Sequence, residues 1–188
     1  MAQGQIRIIG GQWRGRRLKV LDLEGLRPTP DRIRETLFNW LQPIVLGAHC
    51  LDMFAGTGAL GFEALSRGAS HVVFVDQSAA VVDMLRSESQ HFGAEHAEIY
   101  QANVPKQLRK PLKRFDLVFL DPPFQAELLL PSCEFLEASG FLADNAYIYL
   151  ESQHEITTAM LPPNWEIVKS KKAGVVAYHL ALRHAASI

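Results

Sequence analysis

Only two cysteines occur in the 188 residues, Cys50 and Cys133, with neither a C-x-x-C pair nor a paired spacing. That excludes a disulfide framework and a thiolate metal knuckle, and it predicts two buried thiols, one in an apolar strand and one in an apolar helix. Long hydrophobic runs are missing as well, since no stretch approaches the roughly 18–20 apolar residues that cross a bilayer. The start, Met1-Ala2-Gln3-Gly4-Gln5, has no basic segment followed by an apolar one, so a soluble, cytoplasmic protein is expected. There is no low-complexity run, no G-x-S-x-G elbow and no P-loop, and the seven histidines form no cluster at metal-ligand spacing. No metal is expected.

What the sequence does hold is ordinary globular composition, 48% apolar and 21% charged, in a length that suits one domain with at most a small appendage. The net charge of −1 is unevenly spread. Residues 1–41 carry eight basic side chains against four acidic ones, a balance of +4 that leaves −5 for the remainder. A basic head on an acidic body points to a polyanionic partner met through that head, although a solvated hairpin would have the same composition.

Within the head, Arg7-Ile8-Ile9 and Arg16-Arg17-Leu18-Lys19-Val20 predict two short strands joined by the glycine-rich turn Gly10 to Gly15. Guanidiniums at Arg7, Arg14, Arg16 and Arg17 and the indole of Trp13 suit RNA, neutralising phosphate and stacking on an unpaired base. A core role for Trp13 is the competing reading. So short a hairpin must dock on the body or order on a partner. Beyond Leu26-Arg27, Pro28 and Pro30 hold the lead-in extended, Thr29 or Asp31 can cap a helix, and Ile33, Leu37, Phe38 and Leu41 fall on one helical face. Arg32 and Arg34 sit in its first turn, where the helix dipole disfavours cations, which points to an anionic ligand or a carboxylate partner, although a solvated helix start is the commoner reason for such a pattern.

The body is organised around Leu51-Asp52-Met53-Phe54-Ala55-Gly56-Thr57-Gly58-Ala59-Leu60-Gly61, which reads as a buried strand, a glycine turn and an amphipathic helix. Gly56 and Gly58 let the backbone pass close under a ligand, and Gly61 lets the helix pack tightly on the strand. The G-x-G-x-x-G spacing is shared by dinucleotide-binding proteins and S-adenosylmethionine-dependent methyltransferases. Asp76 closes the next strand, twenty positions after Gly56, where a carboxylate can take both hydroxyls of a ribose or cap the helix that follows Gln77 and Ser78. Asn103 and the backbone of Val104, just past the third strand, are placed to meet an adenine edge, and a bare turn residue is an equal alternative. Onward from His49, strands and helices alternate, which predicts a parallel sheet covered on both faces. Short helices are expected near Lys106 to Arg109 and Glu155 to Leu161. The hairpin-length link Lys171-Lys172-Ala173-Gly174 predicts an antiparallel pair at the end.

Phe119-Leu120-Asp121-Pro122-Pro123-Phe124 carries the chemistry. The two prolines freeze the loop and leave the carbonyls of Asp121 and Pro122 free of helical partners. An exocyclic amine on a nucleobase is nearly planar and poorly nucleophilic. A carboxylate and a carbonyl accepting its two hydrogens favour pyramidal geometry and stabilise the positive charge that develops on attack. Phe124 offers a face for an extruded base.

Asp121-Pro122-Pro123-Phe124 resembles the motif of amino-methyltransferases in which Asp, Asn or Ser precedes Pro-Pro and an aromatic, and Asp52-Met53-Phe54-Ala55-Gly56-Thr57-Gly58 resembles their cofactor motif. The pieces Arg7 to Gly11, Gly15 to Leu18, Arg27 to Thr29 and Asp31 to Leu41 are similar to the bacterial 16S rRNA (guanine-N2)-methyltransferases of the RsmD family. The resemblance spans nearly the whole chain. It implies a Rossmann-like class I methyltransferase with a seven-stranded, mostly parallel sheet, an antiparallel C-terminal hairpin, and a small N-terminal hairpin and helix. It implies methyl transfer from S-adenosyl-L-methionine to N2 of one guanine of small-subunit rRNA, in an assembled or nearly assembled subunit. Asp52 and the backbone from Phe54 through Ala55 and Gly56 to Gly58 would hold the methionine part, Asp76 with Gln77 and Ser78 the ribose, and Asn103 with Val104 the adenine. Many methyltransferases have an acid where Asn103 stands. Thr29 and Pro30 would close over the cofactor, Asp121, Pro122, Pro123 and Phe124 would handle the base, and Arg7, Trp13, Arg14, Arg16, Arg17, Arg32 and Arg34 would grip RNA. Residues 1–41 are then an RNA-contacting lid on a methyltransferase domain at 42–188, expected to act as a monomer. A DNA adenine-N6 or cytosine-N4 methyltransferase is the alternative, though 188 residues leave no room for a large target-recognition insertion. A catalytically idle RNA-binding fold is a third reading, and a Rossmann oxidoreductase, with no hydride-transfer site, the last.

Overall fold

The computed structural model describes residues 4–21 and 28–185, so Leu26 and Arg27 of the expected lead-in lie outside the described residues. In chain order the elements are β1 (Gln5–Arg7), β2 (Arg17–Lys19), α1 (Asp31–Leu41), β3 (His49–Asp52), α2 (Ala59–Ser66), β4 (His71–Asp76), α3 (Ala79–Phe92), β5 (Ala97–Gln101), β6 (Phe115–Leu120), α4 (Leu129–Ala138), β7 (Leu142–Ser152), β8 (Trp165–Ala173) and β9 (Val176–Arg183). β1 and β2 form a separate antiparallel pair, and the other seven strands form one sheet in the order β5-β4-β3-β6-β7-β9-β8. β3 to β7 run parallel, while β9 is antiparallel to both β7 and β8.

Strands buried on both faces read as nearly continuous apolar runs, and here successive residues alternate between two cores. Cys50, Phe74, Leu117, Phe119 and Tyr149 face the core shared with α1, α2, α3 and the hairpin. Leu51, Val73, Val118, Leu120 and Ile148 face the core shared with α4. Cys50 and Cys133 are free and buried, one in each core, as expected.

Two expected helices are shorter. The stretch near Lys106 to Arg109 is a turn, hemmed in by Pro105 and Pro111, and that near Glu155 to Leu161 is a single 3-10 turn, Thr158–Met160, stopped by Pro162 and Pro163. α1 starts behind Pro30 with no side-chain cap; Asp31 pairs with Arg34 instead.

The hairpin docks on α2 through one glutamate and one serine. The backbone N–H groups of Ile9 and Gly10 donate to the two carboxylate oxygens of Glu63, each at 2.8 Å. Ser66 Oγ accepts from Trp13 N at 3.0 Å and donates to Gly10 O at 2.6 Å. A Cβ on Gly11 would lie 1.8 Å from the Ser66 carbonyl oxygen, so only glycine lets the turn approach this closely.

Two expected RNA contacts are corrected by this docking. Trp13 is 8% exposed, its ring packed against Phe62 and Phe92, because the indole is the apolar group that seals the hairpin onto α2 and α3. Arg34 is fully buried: it donates to Thr29 O, Arg7 O and Asp31 and lies 3.6 Å from Glu63. Its paired carboxylate is Asp31 of the same first turn, at 2.6 Å, with Glu63 of the body the second carboxylate near it, so the misplaced charge read from the sequence meets acids of the protein itself.

Candidate active site

The carboxyl ends of the parallel strands open into a cleft of about 760 Å³, within the size range of cofactor sites. Asp52, at the end of β3, lies on its floor, nearly fully buried, and accepts the Gly61 N–H of α2 at 3.0 Å. Burial pushes its carboxyl up to about 8; the Gly61 donor opposes this and the Asp76 charge adds to it. α2 comes this close because Gly61 has no Cβ, which would lie 2.2 Å from the Phe74 ring. Phe54, Ala55 and Gly56 form the adjoining wall, together with Met53, Thr57 and Leu60. Gly58 is not part of that wall: it starts α2, and a Cβ there would meet Leu85 and Phe62.

Asp76 closes β4, its Oδ2 accepting from Gly56 N at 3.0 Å and its Oδ1 from Ser78 N at 2.9 Å. Each oxygen keeps a lone pair for a further donor. Ser78, not Asp76, is the N-cap of α3, accepting from Val81 N. Gln77 and Ser78 line the cleft, as does Val104. Asn103 does not: it is exposed outside the cleft wall, its N–H donating to Gln107 Oε1 at 3.0 Å.

Across the cleft stand Asp121, Pro122, Pro123 and Phe124, the last half-buried at the start of a 3-10 turn, Phe124–Ala126. Thr29 and Pro30 close the same side, and the Thr29 hydroxyl donates to Asp121 Oδ2 at 3.3 Å. Burial raises the Asp121 carboxyl well above the usual carboxylate range; the neighbouring Glu151 charge adds to this and the Thr29 hydroxyl opposes it. Sequence reasoning missed Glu151, which is buried in the cleft wall and takes the Tyr149 hydroxyl on Oε2 at 2.8 Å. The signal was an acid at the carboxyl end of an apolar strand, the position already read as meaningful at Asp76 and Asp121. It missed Glu63 too, a glutamate inside the apolar run Leu60 to Leu65. Val175 and Val176, from the β8–β9 hairpin, complete the rim.

Of the expected RNA contacts, Arg7, Arg14, Arg17 and Arg32 are exposed. Arg16 is half-buried, with its guanidinium 4.1 Å from the Phe92 ring centroid and donating to His91 O, so it also fastens the hairpin. Among the described residues no helix is long and apolar enough to cross a membrane, and no group of three or more His, Cys, Asp or Glu side chains is arranged to hold a metal ion.

A cleft with a backbone turn at one end, an acid with spare acceptor capacity beside it and an apolar wall fits a nucleoside with an attached amino acid. Residues 6–182 match the family described as conserved hypothetical protein 95. Ribosomal RNA small subunit methyltransferase D of Escherichia coli (strain K12) is 48% identical over 182 residues, covering 97% of this chain and 92% of the relative. This chain belongs to the RsmD family. The RsmD enzyme of Haemophilus influenzae is 44% identical over 183 residues, covering 95% of this chain and 94% of its own. The solved structure of the yhhF protein of Escherichia coli superimposes with a TM-score of 0.87 at 48% identity, over 97% of this chain and 99% of that one. The fold is therefore the Rossmann-like class I methyltransferase fold, and the hairpin and α1 are part of what the RsmD relatives share across nearly their full length.

Proposed function

We propose that this protein transfers a methyl group from S-adenosyl-L-methionine to the exocyclic N2 of a guanine in small-subunit rRNA, acting on assembled or nearly assembled subunits. The observation that carries the reading is Asp121, an acid with no cation paired to it among the described residues, set beside two prolines and Phe124 on the wall opposite the glycine turn.

When bound, the cofactor supplies an electrophilic methyl group on a sulfonium sulfur. Asp52 and the backbone from Phe54 to Gly56 hold its amino-acid end, Asp76 its ribose, and Val104 with Val81 the adenine. Asp121 and the Pro122 carbonyl accept the two amine hydrogens of the target base, draw its nitrogen toward a pyramidal shape and stabilise its developing positive charge. A carboxyl whose affinity for protons is raised is also a better acceptor for the proton the amine must lose. Phe124 stacks on the extruded base. Residues 1–41 act as lid and RNA contact, through Thr29 and Pro30 on the cleft and Arg7, Arg14, Arg17 and Arg32 toward phosphate.

The test is methyl transfer from labelled S-adenosylmethionine to small subunits purified from cells lacking this protein, followed by complete nucleoside digestion. N2-methylguanosine is the expected product. Label in another nucleoside, or none in subunits or their RNA, would refute the reading.

A further inference from the structure

The mechanism above leaves one acid of the cleft unused. β6 and β7 run parallel with Leu120 paired to Leu150, so the next residues, Asp121 just past the end of β6 and Glu151 still within β7, stand side by side. Both line the cleft. Glu151 is 5% exposed, and the Tyr149 hydroxyl donates to its Oε2 at 2.8 Å. Among the described residues no hydrogen bond reaches its Oε1 and no cation pairs with it. A carboxyl this enclosed is costly unless a donor meets it, and the open direction is the cleft.

Purines and pyrimidines differ in what stands beside their exocyclic amine. Guanine presents N1–H next to the N2 amine, two donors in a row. Adenine and cytosine present a ring nitrogen lone pair next to theirs. Two adjacent carboxylates, both ionised when the base is bound, match the first edge and repel the second. We propose that Glu151 accepts the N1–H of the target guanine while Asp121 accepts from its N2 amine, so that the pair selects guanine. This deepens the guanine-N2 reading and rests on it. Tyr149 is then a positioning residue: its hydroxyl occupies Oε2 and leaves Oε1 to the base.

The test uses the full-length protein saturated with S-adenosylhomocysteine, with guanosine and 2-aminopurine riboside as probes. 2-Aminopurine keeps the 2-amino group but has a lone pair at N1, and its fluorescence reports binding directly, guanosine being measured by displacement. Wild-type protein is expected to prefer guanosine by roughly tenfold or more, because a polar site left facing the wrong group discriminates strongly. Glu151→Gln can donate to a bare N1, so the preference should collapse or reverse. Glu151→Ala should lose the preference without reversing it, and Tyr149→Phe should move it the same way by less. Unchanged S-adenosylhomocysteine affinity and melting temperature show that each variant is folded. An identical preference in wild type and Glu151→Gln would overturn the assignment, as would a wild type that binds neither probe or both equally. Nucleoside analysis of methylated subunits separates the two failures: a product other than N2-methylguanosine sinks the guanine-N2 reading itself, whatever Glu151 does.

Discussion

The carboxylate under the hairpin and the paired carboxylates on the cleft wall are the same chemical group in opposite company. Glu63 accepts two backbone N–H groups from the hairpin and is flanked by the guanidiniums of Arg34 and Arg67. Among the described residues, Asp121 and Glu151 have each other and, as donors, only the hydroxyls of Thr29 and Tyr149. A buried charge that is fully met fastens two parts of a fold together, whereas one held without a counter-charge destabilises the free protein and is poised for a ligand. The charge of the head was therefore a poor guide by itself. Arg34 serves the fold, Arg16 serves it in part, and Arg7, Arg14, Arg17 and Arg32 are exposed.

The comparison breaks most visibly at Glu63. Glu63→Ala removes the acceptor of the Ile9 and Gly10 N–H groups and one of the two carboxylates beside buried Arg34, and should lower stability by about 3–5 kcal/mol, read as a shift of the urea midpoint. Undiminished stability would mean that the hairpin is held by its apolar contacts alone.

Asp52 sharpens the contrast through pH. Its folded carboxyl titrates at about 8 against about 4 in an unfolded chain, so between these values the native state holds a proton that the unfolded state has released. The contribution of Asp52 to stability therefore falls as pH rises through that window. Asp52→Asn lacks the term, and in melts without cofactor it should grow more stable than wild type from pH 4 to 8, by on the order of a few kcal/mol. S-adenosylmethionine affinity should fall in the same variant. A gap constant with pH would deny the protonation, and one that widened toward acid would reverse the sign.

The hairpin supplies a smaller, paired test. Trp13→Ala should cost about 3 kcal/mol of stability and act on RNA only through lost docking. Arg14→Ala and Arg17→Ala should leave stability within about 0.5 kcal/mol and each reduce the salt dependence of RNA binding by about one counterion. Trp13→Ala weakening RNA binding at full stability would restore the indole to the interface.

What the sequence made legible was local. The strand, turn and helix around Gly56, the acid at Asp76 and the Asp121 to Phe124 run each carry their meaning within a few residues, and the alternation of strands and helices announced the sheet. What stayed hidden depended on distant partners. Trp13 reads as a free aromatic until Phe62 and Phe92 are brought against it, and Arg34 as a free cation until Glu63 is. Glu151 reads as a strand end until the β6–β7 register sets it beside Asp121. Asn103, exposed in the turn after β5, stands beside the cleft lining that its neighbour Val104 joins.

The most direct measurement is a single-turnover transfer assay on small subunits with Asp121→Ala, with S-adenosylmethionine affinity determined on the same preparation. Affinity within a few-fold of wild type and transfer reduced by about 100- to 1,000-fold is the expected result if, as proposed, Asp121 serves the base rather than the cofactor. Equal loss of both, or transfer at the wild-type rate, would contradict the role of Asp121 and with it the chemistry assigned to the cleft.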